Sequence, residues 1–277
     1  MPNSREEHRE YQVAPRYLAN ADADASAAVQ PLSDAGWYLS REESGNFFAV
    51  SPDFTTRLGY LTEGDYCGLW MLTAHRDVFA PPAWEVTLEL AAAPEIVTEL
   101  TTALATAPRS VMHGATDGFD PAERLLANDW RLETTRWENV YRSPDGLVTL
   151  QQQIGHLGHD EETDRQLERF TFVVGPPGRC WYATACSATP AWFLETLTTA
   201  VTSPAPVQRR LRPSELAQLP AQAVTTLAVP STREAARMKA ATARTATAPR
   251  TGGSAPLDTT APRATASPKP APSDRTR

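Results

Sequence analysis

One pattern that decides the fold occurs twice in the chain: GNFFAVSPD at residues 45–53 and ENVYRSPD at residues 138–145. Both stretches end in Ser-Pro-Asp. The proline presets φ for a turn, and the aspartate can hydrogen-bond its own backbone. Each stretch therefore predicts a β-strand that ends in a tight turn.

The sequence around these two stretches matches as well. The matched landmarks keep their order and lie 92–97 residues apart: DAGWYL at 34–39 with NDWRL at 128–132, Trp84 with Trp181, and LTTAL at 100–104 with LTTAV at 197–201. Chance does not readily produce agreement at several ordered positions. We interpret the chain as a tandem repeat of one unit of about 90 residues.

Each copy is predicted to be an antiparallel meander of about five strands followed by one helix, which makes the fold class α+β. The fifth strand alternates apolar and polar residues from Trp84 to Leu90, as a strand with one buried face does. Pro94 and Pro190 suit the first position of the helix. An apolar stripe follows at helical spacing: Ile96, Val97, Leu100 and Leu104, and in the second copy Trp192, Phe193, Leu197 and Val201.

The two ends of the chain differ in composition. Every Trp, Tyr and Phe lies at or before Phe193, and residues 205–277 contain twelve Lys and Arg against four Asp and Glu. This tail carries +8, so residues 1–204 carry −15. A segment without aromatic surface is poorly able to offset the entropy cost of ordering. We therefore predict a disordered basic tail rich in Ala, Thr, Pro and Arg.

These observations predict five segments: a disordered N-terminus (1–14), a first repeat (15–107), a linker (108–119), a second repeat (120–204) and the tail (205–277). Two alternatives remain open for the repeats. Either their sheets pair edge to edge into one body, or the linker is flexible. Within the tail, residues 214–219 and 231–239 are short helix candidates, the latter with a capping box.

Cysteine usage indicates a reducing compartment. The three cysteines are Cys67, Cys180 and Cys186, with no CxxC spacing. Cys180 and Cys186 are expected to share one strand, roughly 20 Å apart and too far for a disulfide. The N-terminus has no apolar signal segment, and no apolar run is long enough to cross a membrane. We expect a cytoplasmic protein that does not bind membranes.

The first copy resembles the actinobacterial SPDY family, domain-of-unknown-function 317, which is named after its turn motif. The motif is Ser51-Pro52-Asp53-Phe54 here, with phenylalanine in the tyrosine position. Further family-like residues are Gly36-Trp37, Gly68-Leu69-Trp70 and Pro81-Pro82-Ala83-Trp84.

The second copy departs further from the family pattern. It retains Ser143-Pro144-Asp145 but continues with Gly146, and Phe170–Phe172 replaces the Gly-Leu-Trp strand. The resemblance covers roughly residues 15–204. It implies tandem domains and no established activity, so it assigns no functional residue.

One cluster has the composition of a metal site: His156, His159, Asp160, Glu161, Glu162 and Asp164. A zinc site needs three or four ligands in fixed geometry. The cluster has no cysteine partner, and the corresponding loop of the first copy has no histidine. We interpret it as a solvated acidic loop and predict no metal site.

Other candidates for chemistry are weaker. His75-Arg76-Asp77 resembles acid–base machinery but is expected to be a strand end with a local ion pair. Cys67 lies in an acidic loop, which should raise the pKa of its thiol and make it a poor nucleophile. The chain has no GxSxG, GxGxxG or Walker motif. We predict no catalytic residue, cofactor site or small-molecule ligand.

The expected function is a non-enzymatic protein-interaction or scaffold module. The alternative is weak nucleic-acid binding through the basic tail and aromatic residues of the sheet. The −15 body opposes nucleic acid, because such binding requires neutralisation of phosphates. An unrecognised enzyme is the third possibility. Because the first copy retains more of the family motifs, a function is best sought there or at the junction between the copies.

Overall fold

The computed structural model describes residues 8–19, 25–63, 68–108, 112, 119–163 and 167–227. The fold is α+β, as predicted, and all strand pairs in these ranges are antiparallel. No helix among the described residues is long and apolar enough to cross a membrane.

The strands are β1 (Arg9–Ala14), β2 (Tyr38–Arg41), β3 (Phe47–Val50), β4 (Thr56–Leu61), β5 (Leu69–His75), β6 (Pro82–Glu89), β7 (Arg131–Thr134), β8 (Glu138–Arg142), β9 (Val148–Gln153), β10 (Phe170–Val174), β11 (Trp181–Ala185), β12 (Val207–Leu211) and β13 (Val224–Leu227). The helices are α1 (Ala25–Asp34), α2 (Pro94–Thr106), α3 (Pro121–Leu126), α4 (His159–Thr163), α5 (Ala191–Thr202) and α6 (Pro213–Leu216), with a 3-10 turn at Arg16–Leu18.

Ten strands form one continuous sheet in the order β2-β3-β4-β5-β6-β11-β10-β9-β8-β7. The first half of the chain supplies β2–β6 and the second half supplies β7–β11. They meet at the centre, where β6 pairs with β11 and Thr87 lies opposite Thr184. The hydroxyl groups of these two threonines are 2.8 Å apart. Two arrangements of the repeats were left open above, and the structure shows the one in which their sheets pair edge to edge into a single body.

Both halves begin with a helix, continue with five strands and end with a helix, and the second half has the additional short helix α4 between β9 and β10. Because corresponding strands β6 and β11 pair antiparallel, an approximate two-fold axis passes near Thr87 and Thr184. The descent of the halves from one duplicated unit stays a prediction. We refer to residues 25–106 as the first half and to residues 119–202 as the second half.

Helices α1, α2 and α5 pack with one face of the sheet into a core shared by both halves. The apolar stripes predicted for the two helices are buried, apart from the partly buried Trp192. The rings of Trp84 and Phe193 lie 5.6 Å apart and join the halves across this core. Met112, in the predicted linker, is also buried, and its carbonyl accepts a 2.6 Å hydrogen bond from the Trp84 indole.

The opposite face of the sheet is called the open face here. Because side chains alternate along a strand, the neighbours of core residues point to it. One row of paired residues crosses this face from edge to edge: Ser40, Phe48, Gly59, Met71, Thr87, Thr184, Thr171, Gln151, Val140 and Glu133.

A second sheet of three strands, β12-β1-β13, corrects two segment predictions. Residues 9–14 are not disordered, and the ordered body extends to residue 227 instead of ending at 204. Val13, Val207 and Leu219 are buried in a small cluster of their own. Backbone pairing and burial against β1, which contributes Val13 and the partly buried Tyr11, therefore order this part of the predicted tail, although the tail itself has no aromatic residue.

Two buried arginines fasten this second sheet and its neighbouring turn to helix α2. Arg16 binds both carboxylate oxygens of Glu99, at 2.5 and 2.8 Å, and also the carbonyl of Ala200. Arg209 binds both oxygens of Glu95, at 2.5 and 2.7 Å. Bidentate pairs of this kind fix orientation as well as distance. They connect both chain ends of the body to one helix.

Smaller differences concern the ends of elements. Pro190 is the N-cap of α5 instead of its first helical residue, whereas Pro94 begins α2 as predicted. The second acidic loop contains the short helix α4. Residues 213–216 form a helical turn that overlaps the candidate at 214–219, and the candidate at 231–239 lies outside the described residues.

Candidate binding groove on the open sheet face

The Ser-Pro-Asp motifs form two turns with the same hydrogen bonds. In the first, the Ser51 hydroxyl donates to Asp53 Oδ1 at 2.5 Å and accepts from the Thr56 N–H at 2.9 Å. Asp53 Oδ1 also accepts from the Thr55 N–H. Ser143 and Asp145 make the corresponding bonds in the second turn. The aspartates bond their own backbone, as predicted, so the motif closes a turn.

The residue after Ser-Pro-Asp has a left-handed backbone in both turns. Gly146 adopts φ 71° and Phe54 adopts φ 63°. Glycine adopts this conformation without steric cost, whereas for a residue with a Cβ it costs about 1–2 kcal/mol of conformational free energy. The turn therefore favours glycine, and the first half places a phenylalanine there. Residues held in strained backbone conformations cluster at functional sites, where the surrounding structure keeps them in place.

The Phe54 ring lies flat against Tyr38 at the edge of the open face. The ring centroids are 5.3 Å apart and the planes differ by 10°. Phe54 is 47% exposed and Tyr38 is 57% exposed. The pair is thus a stacked aromatic platform in contact with solvent.

A groove of about 470 Å³ opens beside this platform. We call it the open-face groove, and its lining is mostly apolar: Phe48, Val50, Phe54, Arg57, Leu58, Gly59, Leu61, Met71, Thr73 and Val78. Gly59 forms its floor, since it lies between Phe48 and Met71 in the row across the sheet. A Cβ at this position would lie 3.3 Å from Leu61 Cδ2 and 3.6 Å from Phe48 Cδ1. The groove exists because the strand has no side chain there.

The second half has different side chains at the corresponding points of the row. Val140 stands in place of Phe48, Gln151 in place of Gly59, and Thr171 in place of Met71. Gln151 supplies a long side chain where the first half has none. The groove is therefore a property of the first half, in line with the expectation that a function be sought there.

One cation lines the groove. Arg57 Nη2 donates a 3.1 Å hydrogen bond to the carbonyl of Val78 in the loop between β5 and β6. This bond holds the loop as a wall of the groove. No carboxylate appears among the described residues that line it. The described lining thus lacks the acidic groups that give residues 1–204 their net charge of −15.

The predicted acid–base candidates have structural partners. His75 is buried, and its ring nitrogens contact Thr73 Oγ1 at 3.2 Å and the Ala80 carbonyl at 2.8 Å. Asp77 accepts from the backbone N–H groups of Phe79 and Ala80. These contacts shape the loop after β5. Asp77 thus caps a turn, a role that differs from the local ion pair predicted.

The predicted metal-like residues are separated by their contacts. His159 Nε2 lies 2.9 Å from the Pro82 carbonyl, and the buried Glu162 accepts from the backbone and hydroxyl of Ser187. Among the described residues, no group of three or more His, Cys, Asp or Glu could hold a metal ion. Asp164 and Cys67 lie outside the described residues.

The two described cysteines flank β11 and are free thiols. Cys186 is buried at the seam, where its sulfur accepts from the Glu85 N–H at 3.3 Å. Burial raises the pKa of its thiol. Cys180 lies next to the Tyr182 hydroxyl at 3.4 Å and is partly exposed.

A second cavity of about 480 Å³ lies next to the Ser143-Pro144-Asp145 turn. There the Tyr17 hydroxyl donates to Asp145 Oδ2 at 2.6 Å. Burial, with Asp145 beside it, raises the pKa of Tyr17. Burial opposes ionisation of Asp145, but the bonds from Ser143 and Tyr17 hold its pKa below the ordinary value. This contact joins the N-terminal segment to the second turn.

Sequence reasoning did not identify the residues of the groove. One signal was available: the runs Phe47–Val50 and Leu69–Leu72 are apolar without alternation. Such runs indicate strands that carry apolar side chains on both faces. The left-handed backbone of Phe54 had no such signal, because the residue type argues against it.

Residues 50–111 match the family model SPDY, described as "Domain of unknown function (DUF317)". The matched segment contains the first Ser-Pro-Asp turn, Phe54, and the strands β4–β6 with helix α2. The match confirms the resemblance to the SPDY family over residues 50–111 of the first copy, and the resemblance of the second copy stays a prediction. Comparison with curated proteins and with solved structures gave no match.

Proposed function

We propose that the protein is a non-enzymatic protein-interaction module and that the open-face groove binds an apolar segment of a partner protein. The observation that carries this proposal is Phe54. It is held in a left-handed conformation that glycine fills at no cost in the second half, and it lies half exposed beside an apolar groove. An aromatic side chain kept in solvent contact despite strain indicates selection for binding.

The chemistry of the lining fits a protein ligand. Binding sites in proteins are concave and mostly apolar, with a few polar groups that orient the ligand. Phe48, Val50, Leu61 and Met71 supply the apolar surface, and Arg57 supplies one polar group. Aromatic residues, methionine and arginine are the types enriched in protein interfaces. An extended segment with an aromatic or large aliphatic anchor is the expected ligand.

A random peptide library displayed on phage tests the proposal. We expect selection on the full chain to enrich peptides that share an apolar anchor. Gly59→Gln places the second half's side chain on the groove floor, so the selected peptides should bind this variant at least ten-fold more weakly. The neighbours that a new side chain meets are the side chains of Leu61 and Phe48, so the variant should fold.

Gln151→Ala is the matched control, because Gln151 occupies the corresponding position in the second half. The selected peptides should bind this variant as tightly as the natural protein. Equal binding to Gly59→Gln and the natural protein would place the peptide site elsewhere and refute the proposal.

A second candidate function is binding of single-stranded nucleic acid. The exposed Tyr38–Phe54 stack favours it, because bases stack on aromatic platforms. The acidic body and the single arginine in the groove speak against it, since a strand also needs a cationic path for its phosphates.

Gel shifts with single-stranded oligonucleotides at two salt concentrations separate the two functions. Nucleic-acid binding predicts a shift at low salt that Tyr38→Ala weakens and that high salt abolishes. A shift that persists in Tyr38→Ala but disappears when residues 228–277 are deleted would assign the binding to the basic tail. The absence of a shift at low salt would exclude nucleic-acid binding and leave protein binding as the remaining candidate of the two.

A further inference from the structure

Phe79 is the most exposed large apolar residue in the described part of the chain. It is 96% exposed and lies in the loop between β5 and β6. A fully solvated phenylalanine forgoes the stabilisation of about 2–3 kcal/mol that burial gives. None of the residues that the structure describes covers it.

The turn that carries Phe79 is fixed by hydrogen bonds. Asp77 Oδ1 accepts from the N–H of Phe79 at 2.9 Å and from that of Ala80 at 3.0 Å. The Ala80 carbonyl contacts His75 Nδ1 at 2.8 Å, and Arg57 holds the Val78 carbonyl. A side chain presented by a fixed turn loses little conformational entropy on binding. Phe79 is therefore a preformed anchor.

The anchor stands next to the open-face groove. Val78 lines the groove, and Phe79 follows it directly in the chain. The same surface thus carries an aromatic projection and an apolar hollow side by side. A surface with both features is self-complementary, as the interface of a two-fold dimer must be.

We propose that the protein forms a symmetric dimer in which Phe79 of each copy enters the open-face groove of the other. One two-fold axis between the adjacent anchor and groove satisfies both contacts at once. This inference rests on the proposed function of the groove as a protein-binding site and names a second copy of this chain as a partner.

The exposed aromatic residues supply about half of the area that a standard dimer interface buries. Full burial of an aromatic side chain removes about 200 Å² from water. With Phe79 96%, Tyr38 57% and Phe54 47% exposed, these three residues offer roughly 400 Å² per copy. A standard interface buries about 800 Å² per partner. The groove walls and the loop around Val78 contribute further area.

Charge also selects this surface. Residues 1–204 carry −15, so two copies repel each other wherever acidic residues meet. The described groove lining contains no carboxylate and one cation, Arg57. The described lining therefore adds no acidic group to the contact, although Asp77 lies in the turn that carries Phe79.

Sedimentation velocity over a range of concentrations tests the dimer. We expect the natural protein to dimerise, and Phe79→Ser to weaken dimerisation at least ~100-fold, because two buried anchors are lost per dimer. Gly59→Gln should weaken it similarly by filling both grooves. Trp137→Ser is the matched control: Trp137 is an exposed aromatic residue, 64% exposed, in the second half, and its removal should leave the dimer intact.

A mixture of the two variants gives the sharpest result. Phe79→Ser retains its groove and Gly59→Gln retains its anchor, so the mixture should form a mixed dimer through one anchor–groove contact. Each variant alone should remain monomeric at the same concentration. If Gly59→Gln lowers stability, the combination Phe48→Val, Gly59→Gln and Met71→Thr copies the second half's row and serves instead.

Three outcomes would overturn the dimer: a natural protein that stays monomeric up to about 200 µM, a dimer insensitive to Phe79→Ser, or variants that do not complement each other. None of these refutes a groove that binds other proteins, because peptides selected on the natural chain and lost in Gly59→Gln would still support it. Conversely, peptides that bind Gly59→Gln as tightly as the natural protein would refute the groove as a peptide-binding site.

Discussion

At the scale of single residues, Phe54 and Gly146 occupy the same point of two equal turns with the same backbone conformation. The turn requires a left-handed residue, which glycine provides freely. The two halves differ in what they place there. Because the turns are otherwise alike, their comparison separates the needs of the fold from those of a binding surface.

We predict that Phe54→Gly changes the free energy of unfolding by less than about 1 kcal/mol. The relief of about 1 kcal/mol of backbone strain offsets the loss of the stack on Tyr38, which is worth about 0.5–1.5 kcal/mol. The same variant should weaken binding of the selected peptides at least ten-fold. Urea unfolding and peptide titration measure the two effects.

Gly146→Ala is the control for the turn. It should destabilise the protein by about 1 kcal/mol without affecting the peptides, because alanine must take up the left-handed conformation at a site remote from the groove. A loss of more than 2 kcal/mol in Phe54→Gly would show that Phe54 supports the fold and contradict its assignment to binding.

At the scale of elements, the three-stranded sheet depends on Arg209. Its guanidinium is buried within the structure and bound to both oxygens of Glu95 on α2. Burial opposes ionisation of Glu95, but the bonds and charge of Arg209 hold the pKa of Glu95 below its ordinary value. This pair therefore links the order of β12 to the charge of one carboxylate.

We predict that Arg209→Met lowers the free energy of unfolding by about 2 kcal/mol at pH 7. Removing one partner of a fully buried pair costs about 3–5 kcal/mol, and the 37% exposure of the Glu95 side chain reduces that cost. The difference between the natural protein and the variant should shrink in acid.

The direction of the pH effect follows from the lowered pKa. A carboxylate with a depressed folded pKa contributes fully above its unfolded value, about 4.3, and loses that contribution as pH falls through the folded value. Urea unfolding at pH 7 and pH 3 measures it. If the unfolding free energies of the natural protein and Arg209→Met differ as much at pH 3 as at pH 7, the Glu95 charge does not have this role.

The elements of the ten-stranded sheet could largely be predicted from sequence, because their signals are local. The stripe from Ile96 to Leu104 reports directly which side of α2 is buried, and the alternation after Trp84 indicates the strand β6. The expectation of one buried face for β6 was wrong, because Glu85 and Thr87 on its other face are buried too.

The second sheet could not be predicted from such local signals. Its strands gain stability from the pairing of β1 with β12, which are about 200 positions apart in the chain, and from the buried Arg209, whose partner Glu95 lies on α2.

The groove shows a similar limit. Gly59 reads as a weak strand residue, and nothing in its immediate sequence indicates that Phe48 and Met71 flank it on adjacent strands. Only the register of the sheet brings these residues together. A groove that is formed by the absence of a side chain cannot be recognised until the residues on the adjacent strands are known.

At the scale of the whole molecule, the halves share one sheet and one core. Separation would expose the paired edges of β6 and β11 and the contact between Trp84 and Phe193. We predict a single cooperative unfolding transition for residues 8–227, with coincident fluorescence and circular dichroism curves. Two separate transitions would contradict the shared core.

Cys186 reports on the seam directly. It is 2% exposed and bonded to the Glu85 backbone. In a variant with Cys67→Ser and Cys180→Ser, we expect a thiol reagent to label Cys186 only at the rate of global unfolding. Faster labelling would show that the halves open at the seam while the rest stays folded.

Methionine methyl NMR tests the proposal that the open-face groove binds protein segments. The chain contains four methionines, of which Met71 lines the groove and Met112 is buried in the shared core. On titration with a selected peptide, we predict that the Met71 methyl signal shifts and the Met112 signal does not. A peptide that binds without shifting the Met71 methyl signal would contradict binding in the open-face groove.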